Sequence, residues 1–131
     1  MARYTLWLRL FIALHLVWTV LLTPAVLETR PFSTITQIGW ISLVLIFTTV
    51  GLDIVAFFLA GGRPRIAGLL AAIGPFLFVG PFIGDQLGLF STLPAPRSIV
   101  VVEVLALATQ LAILYVGLRL RREARASETD A

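Results

Sequence analysis

The sequence predicts an all-α membrane protein, a bundle of four transmembrane helices with both termini cytoplasmic. Three observations carry that prediction. Hydrophobic residues make up 59% of the 131 residues and charged ones 13%, with a mean hydropathy of +0.99, a surface no small soluble domain could solvate. Apolar runs at about 6–27, 38–60, 66–83 and 99–120 each approach the roughly 20 residues that cross a bilayer as a helix. Arginines gather at the start, in the "GGRPR" turn and in the "RLRREAR" tail; by the positive-inside rule this puts the termini and the middle turn on the cytoplasmic side. The connections leave no room for a soluble domain. Residues 1–125 therefore read as a single transmembrane domain, and 126–131, "ASETDA", as a short disordered cytoplasmic tail.

The first run begins after Arg3 and ends near the small residue Ala25, as a secretory leader would. It is longer than a leader's apolar stretch and is read as a retained helix. His15, Thr19 and Thr23 recur every four residues on it and share one face. On the second run Ser42, Thr49 and Asp53 recur at seven and four, again one face.

The third run contains "GPFLFVGPFIGD", with two prolines inside a membrane helix. Each removes a helix hydrogen bond and crowds the carbonyl four residues back, at Ala71 and Leu77, so the third helix is expected to kink at Pro75 and Pro81. Gly80, Gly84 and Gly88 follow at intervals of four, a ridge of small residues on which a neighbouring helix could pack closely. The kink either serves that packing or opens a cavity near Asp85 lined by Phe76, Phe78 and Phe82. The fourth run places Glu103 and Gln110 seven apart, with Ala106 and Gly117 on the same side.

Ionisable groups inside a membrane span are costly and usually face the bundle interior. By the rise per residue, His15, Thr49 and Gln110 fall within roughly 3 Å of the bilayer centre. Arg9 and Asp53 share a depth of roughly 7 Å towards the cytoplasm, which predicts a structural ion pair between them. The alternative is an Arg9 that snorkels to the headgroups and leaves Asp53 to carry a proton. Glu103 has no basic residue at its depth, so it is expected to remain a neutral acid. It would then serve either as a proton donor or in a hydrogen bond to His15 or Ser42. The candidate catalytic residues are thus Glu103, Asp53 and His15. The candidate substrate-binding residues are Phe76, Phe78, Phe82, Thr49, Gln110 and Asp85.

Much chemistry is excluded. There is no cysteine, hence no disulfide or thiolate chemistry. With a single histidine as well, no metal site is expected. No phosphate-binding loop, dinucleotide fingerprint or hydrolase elbow is present, so no cofactor is expected. The basic charge sits at membrane edges, which argues against a nucleic-acid partner. Trp7, Tyr115 and Trp40 suit interfacial anchoring. All ten basic residues are arginine, a usage of GC-rich bacterial genomes, and the bacterial cytoplasmic membrane is the expected location.

A small four-helix chain with isolated acids and many phenylalanines inside resembles, in layout, the small membrane-embedded isoprenoid cyclases of bacteria. The resemblance implies an acid-catalysed cyclase or isomerase whose partner is an isoprenoid or another membrane lipid. Two other readings stand beside it. One is a non-catalytic subunit of a larger membrane complex or homo-oligomer, with the glycine ridge and polar stripes as packing devices. The other is a small proton-linked transporter or channel using Asp53, His15 and Glu103 as a relay.

Overall fold

The computed structural model describes residues 1–131 and is all-helical. Helices α1 (Ala2–Thr29), α2 (Gln37–Leu59), α3 (Pro64–Gln86) and α4 (Arg97–Thr129) follow in order, with a short 3₁₀ turn at Phe32–Thr34 after α1. All four are long and apolar enough to cross a membrane, as a multi-pass membrane protein requires. Helix α4 continues through Thr129. Of the stretch 126–131 expected as a disordered tail, Ala126 to Thr129 stand in the last turn of this helix, with Thr129 Oγ1 donating to the Arg125 carbonyl at 3.0 Å.

Local chemistry explains the helix starts. Thr36 caps α2 by accepting from the Gly39 amide at 3.0 Å, a cap that satisfies one of the orphan first-turn donors. Pro64 opens α3, where its missing N–H costs nothing. Pro96 precedes α4. Within the helices, the hydroxyls of Thr19, Thr23, Thr48, Thr49 and Thr109 each donate to the carbonyl four residues back. These polar side chains are therefore satisfied within their own helices, as an apolar solvent demands. Helix α3 stays helical through both Pro75 and Pro81, which are buried.

The bundle is up-and-down. The amino terminus lies 2.7 Å from Glu123, and Arg65 in the α2–α3 region pairs with Glu128 at 3.0 Å, so these segments share the terminal end. At the opposite, loop end, a one-residue bridge joins Ile35 to Ser91. Two backbone bonds flank it, Thr36 N to Phe90 O at 3.0 Å and Thr92 N to Thr34 O at 2.9 Å.

Packing is uneven around the bundle. Helix α3 packs along both α2 and α4, and α1 packs along α4, whereas α1 and α2 barely touch. They meet at the terminal end, where Thr5 Oγ1 donates to the Ala60 carbonyl at 3.3 Å and Arg9 Nε to the Phe57 carbonyl at 3.1 Å. The buried cluster of Leu8, Ile12, Ala56, Ala60, Ala67, Ala71, Ile113, Val116 and Leu120 fills this half. Small residues let α3 and α4 close on one another: a Cβ on Gly68 would lie 2.5 Å from the Gly117 carbonyl oxygen, and one on Gly117 2.9 Å from the Ala71 Cβ. The ridge singled out in the sequence lies elsewhere. Gly80, Gly84 and Gly88 have no atom within 4 Å of an added Cβ, so close packing within the chain runs through Gly68 and Gly117 instead.

Candidate functional site

With α1 and α2 joined at the terminal end and apart at the other, a cleft of about 720 Å³ opens between them, its floor formed by α3 and α4. Its walls are mainly apolar. Phe47, Phe78, Phe82 and Phe90 line it, with polar groups only at particular places.

His15 marks the deep end. Its ring lines the cleft and is wholly buried, with the Phe78 ring edge-on at a centroid distance of 5.6 Å. Its Nδ1 lies 2.8 Å from Asp53 Oδ2, the same oxygen that accepts from Gln110 Nε2 at 2.8 Å. Asp53, Gln110 and Thr49 are also wholly buried. The three helices α1, α2 and α4 thus each supply one member of a His15–Asp53–Gln110 cluster. Helix α3 makes room for it with a glycine. A Cβ on Gly74 would come within 3.3 Å of Thr49, 3.5 Å of Asp53 Oδ1 and 3.6 Å of Gln110 Oε1, while Thr49 Oγ1 donates to the Gly74 carbonyl at 3.2 Å. The first Gly-Pro-Phe triplet is therefore where α3 accommodates the polar cluster. His15 Nε2, Asp53 Oδ1 and Gln110 Oε1 make no hydrogen bond within the protein, and the approach of His15 Nδ1 to Asp53 Oδ2 is a close polar contact without hydrogen-bond alignment.

A second polar group stands at the loop end. Arg30, just past α1, is only 1% exposed and hydrogen-bonds Asp85 of α3 through Nη1. Its guanidinium lies over the Phe90 ring at 4.7 Å, an arrangement that stabilises a desolvated cation. Glu103 Oε1 approaches Arg30 Nη2 to 3.9 Å, and Glu103 Oε2 accepts from Gln86 Nε2 at 3.1 Å.

Several expectations are corrected by these positions. Arg9 does not pair with Asp53. Its Nε bonds the Phe57 carbonyl and its guanidinium lies 5.5 Å from the Phe57 ring centroid, because α1 meets α2 there along its backbone while Asp53 turns inward to His15 and Gln110. Glu103 does have a basic neighbour, Arg30, and His15 meets Asp53 in place of Glu103 or Ser42. Phe76 is 73% exposed, on the outer face of α3, and does not line the cleft. Phe78, Phe82, Asp85, Glu103 and His15 do line the cleft, whereas Thr49, Gln110 and Asp53 stand behind His15.

The sequence alone did not point to Arg30, Phe90 and Gln86. Arg30 lies just beyond an apolar run and Asp85 just beyond another, so two opposite charges at one membrane edge were the available signal. The bond from Trp18 Nε1 to Thr109 Oγ1 at 3.0 Å, which fixes α1 against α4 beside the cluster, had no such signal. No family model, curated protein or solved structure matches this chain.

Proposed function

We propose that the protein binds a lipidic molecule of isoprenoid type in the cleft between α1 and α2 and moves a proton on it through His15, as an isomerase or cyclase does. The observation that carries this reading is a wholly buried histidine lining an apolar cleft, with Nε2 free and a carboxylate 2.8 Å from Nδ1. A carboxylate beside one ring nitrogen favours the tautomer that presents the other to a substrate, and stabilises the imidazolium formed when that nitrogen takes a proton.

Imidazole chemistry narrows the reaction. A group of this acidity is matched to proton transfers at an epoxide oxygen or at a carbon next to a carbonyl, and is too weak an acid for an unactivated alkene. In the isomerase form, Nε2 takes the proton from such a carbon and returns one at another carbon, leaving the composition unchanged. In the epoxide form, Nε2–H of the imidazolium protonates the oxygen as the C–O bond breaks, a double bond of the same ligand closes on the carbon left positive, and Nε2 takes back a proton from a carbon next to the new cation, leaving the composition unchanged. Phe78 and Phe82 then face the developing positive charge. Asp53 and Gln110 hold His15 in place, and Arg30, Asp85 and Glu103 form the polar mouth. In this reading both termini are cytoplasmic, the mouth faces outward, and Pro75 and Pro81 bend α3 away from the cleft, in a bacterial cytoplasmic membrane.

The test is mass spectrometry of the intact protein released from mild detergent, followed by deuterium exchange into whatever lipid stays bound. A retained lipid that takes up deuterium from D₂O with wild type and not with His15→Ala supports the reading. Absence of any retained lipid overturns it.

A second reading, as a non-catalytic subunit of a membrane complex, draws on the open space around Gly80 and Gly84, where another helix could lie. Loss of a co-purifying partner in Gly84→Leu, with His15→Ala silent, would favour it.

A further inference from the structure

We infer that the loop end of the cleft binds a lipid hydroxyl, whose oxygen accepts from Arg30 and whose proton goes to Glu103 in a hydrogen bond. This rests on the cleft being a lipid site and identifies the polar end of its ligand.

The starting point is an arginine with unused donors in a place where unused donors are costly. Arg30 is 1% exposed and lines the cleft. Nη1 is committed to Asp85, while Nε and Nη2 make no hydrogen bond. These two nitrogens share one edge of the planar guanidinium and point their N–H groups the same way, a fork built for an oxygen acceptor. Leaving such donors buried without a partner is costly, so a ligand that supplies the acceptor gains what the empty site forfeits.

The far side of the gap defines the ligand's other property. Glu103 Oε1 stands 3.9 Å from Nη2. That is too long for a hydrogen bond, and it suits a single oxygen atom set between the two groups. Such an oxygen accepts from the guanidinium and donates to the carboxylate. A hydroxyl does both, whereas an ether or ester oxygen only accepts.

Charge narrows the choice further. Arg30 stands between two carboxyl groups, Asp85, to which it is bonded, and Glu103. A diphosphate or a free acid would bring further negative charge to a buried cation that Asp85 already pairs. The polar end is a neutral alcohol. His15 and Arg30 are fifteen residues apart, roughly 22 Å along the helix, so a ligand anchored here lays its chain along the cleft towards His15.

Four probes that share one hydrocarbon chain decide the matter: geranylgeraniol, its methyl ether, geranylgeranoic acid and geranylgeranyl diphosphate. Each is offered to the full-length protein in lipid nanodiscs, and retention is measured by mass spectrometry of the intact complex. The alcohol is expected to be retained about tenfold better than the ether, as the loss of one charge-assisted bond implies, and better than the acid or the diphosphate. Glu103→Leu removes the acceptor for the hydroxyl proton and brings retention of the alcohol down about tenfold, to that of the ether. Arg30→Gln abolishes the advantage of the alcohol. Should that variant fail to fold, the probe series and Glu103→Leu, in which Arg30 is intact, still discriminate. Equal retention of alcohol and ether, or a preference for the diphosphate, overturns the inference while leaving the lipid cleft standing. Retention of none of the four overturns the cleft reading itself.

Discussion

His15 Nδ1 lies 2.8 Å from Asp53 Oδ2, and neither side chain is exposed. This contact joins α1 to α2 in the middle of the bundle, where the two helices otherwise stand apart. It is also a concentration of polar groups where hydrocarbon would be expected. A partner removed from such a cluster leaves the others desolvated and unpaired.

Asp53→Ala should therefore be among the most destabilising single changes in the chain, because it strips Gln110 Nε2 of its acceptor and His15 Nδ1 of the carboxylate beside it. A loss of about 3–5 kcal/mol is expected, the range for breaking a buried pair. Asp53→Asn keeps the shape and one acceptor, and its new amide can donate to Gln110 Oε1, so a loss of about 1–3 kcal/mol is expected. Reversible unfolding in bicelles separates the two, and equal losses would mean that Asp53 acts only by filling space.

Arg9→Gln should cost no more than about 1 kcal/mol, the worth of one hydrogen bond to the Phe57 carbonyl and a cation–π contact at a half-buried site. Had Arg9 been the partner of Asp53, its removal would resemble Asp53→Ala. Comparing the two variants under the same unfolding conditions discriminates between these arrangements.

The contrast between Arg9 and Asp53 also marks how far the sequence could be read. The four helices were legible because a bilayer imposes length and apolarity on each span, and the observed bounds of α2 and α3 differ from the apolar runs by only a few residues. The rise per residue placed Arg9 level with Asp53, whereas Arg9 lies beside Phe57, one helical turn further along α2, and His15 lies level with Asp53. Taking each span's middle as a common level ignores tilt and the offset of one helix against the next, and it contains neither rotation about each helix axis nor the order of helices around the bundle. Helix α1 packs along α4 and parts from α2 towards the loop end, so the inward face of α1 brings His15 to Asp53 while Arg9 follows the α2 backbone. For Glu103 the difficulty was of another kind. Its basic neighbour comes from the connection after α1, beyond the apolar runs in which depth is defined. Gly74 stands out in the sequence for the proline beside it, yet its use is to make room for Thr49, Asp53 and Gln110, a matter of side chains on other helices.

Gly68→Ala should weaken the α3–α4 pair, since the new Cβ would lie 2.5 Å from the Gly117 carbonyl oxygen and 3.0 Å from the Arg121 amide nitrogen. These are backbone atoms that move only with their helix, and overpacking of this kind costs about 1–3 kcal/mol. Gly84→Ala meets nothing within 4 Å and should leave the stability of the isolated protein unchanged, or raise it slightly through helix propensity. Thermal unfolding in detergent reads both. A destabilised Gly84→Ala protein would show that a second copy or another helix covers that face.

The placement of both termini in the cytoplasm rests on arginine asymmetry, and the chain lends itself to a direct test because it contains no cysteine. Ser33 lies in the 3₁₀ turn of the α1–α2 connection and Ser127 near the end of α4, both exposed. The bundle geometry puts them at opposite ends, so one must face each side of the membrane if all four helices cross it. With a membrane-impermeant thiol reagent on intact cells, Ser33→Cys should label at once and Ser127→Cys only after lysis. The reverse pattern would invert the protein, placing Arg63, Arg65 and the tail arginines outside against the positive-inside rule. It would also turn the mouth at Arg30 and Glu103 to the cytoplasm, and a ligand's polar end would then be taken from the inner leaflet. Labelling of both cysteines in intact cells would mean that at least one helix does not span.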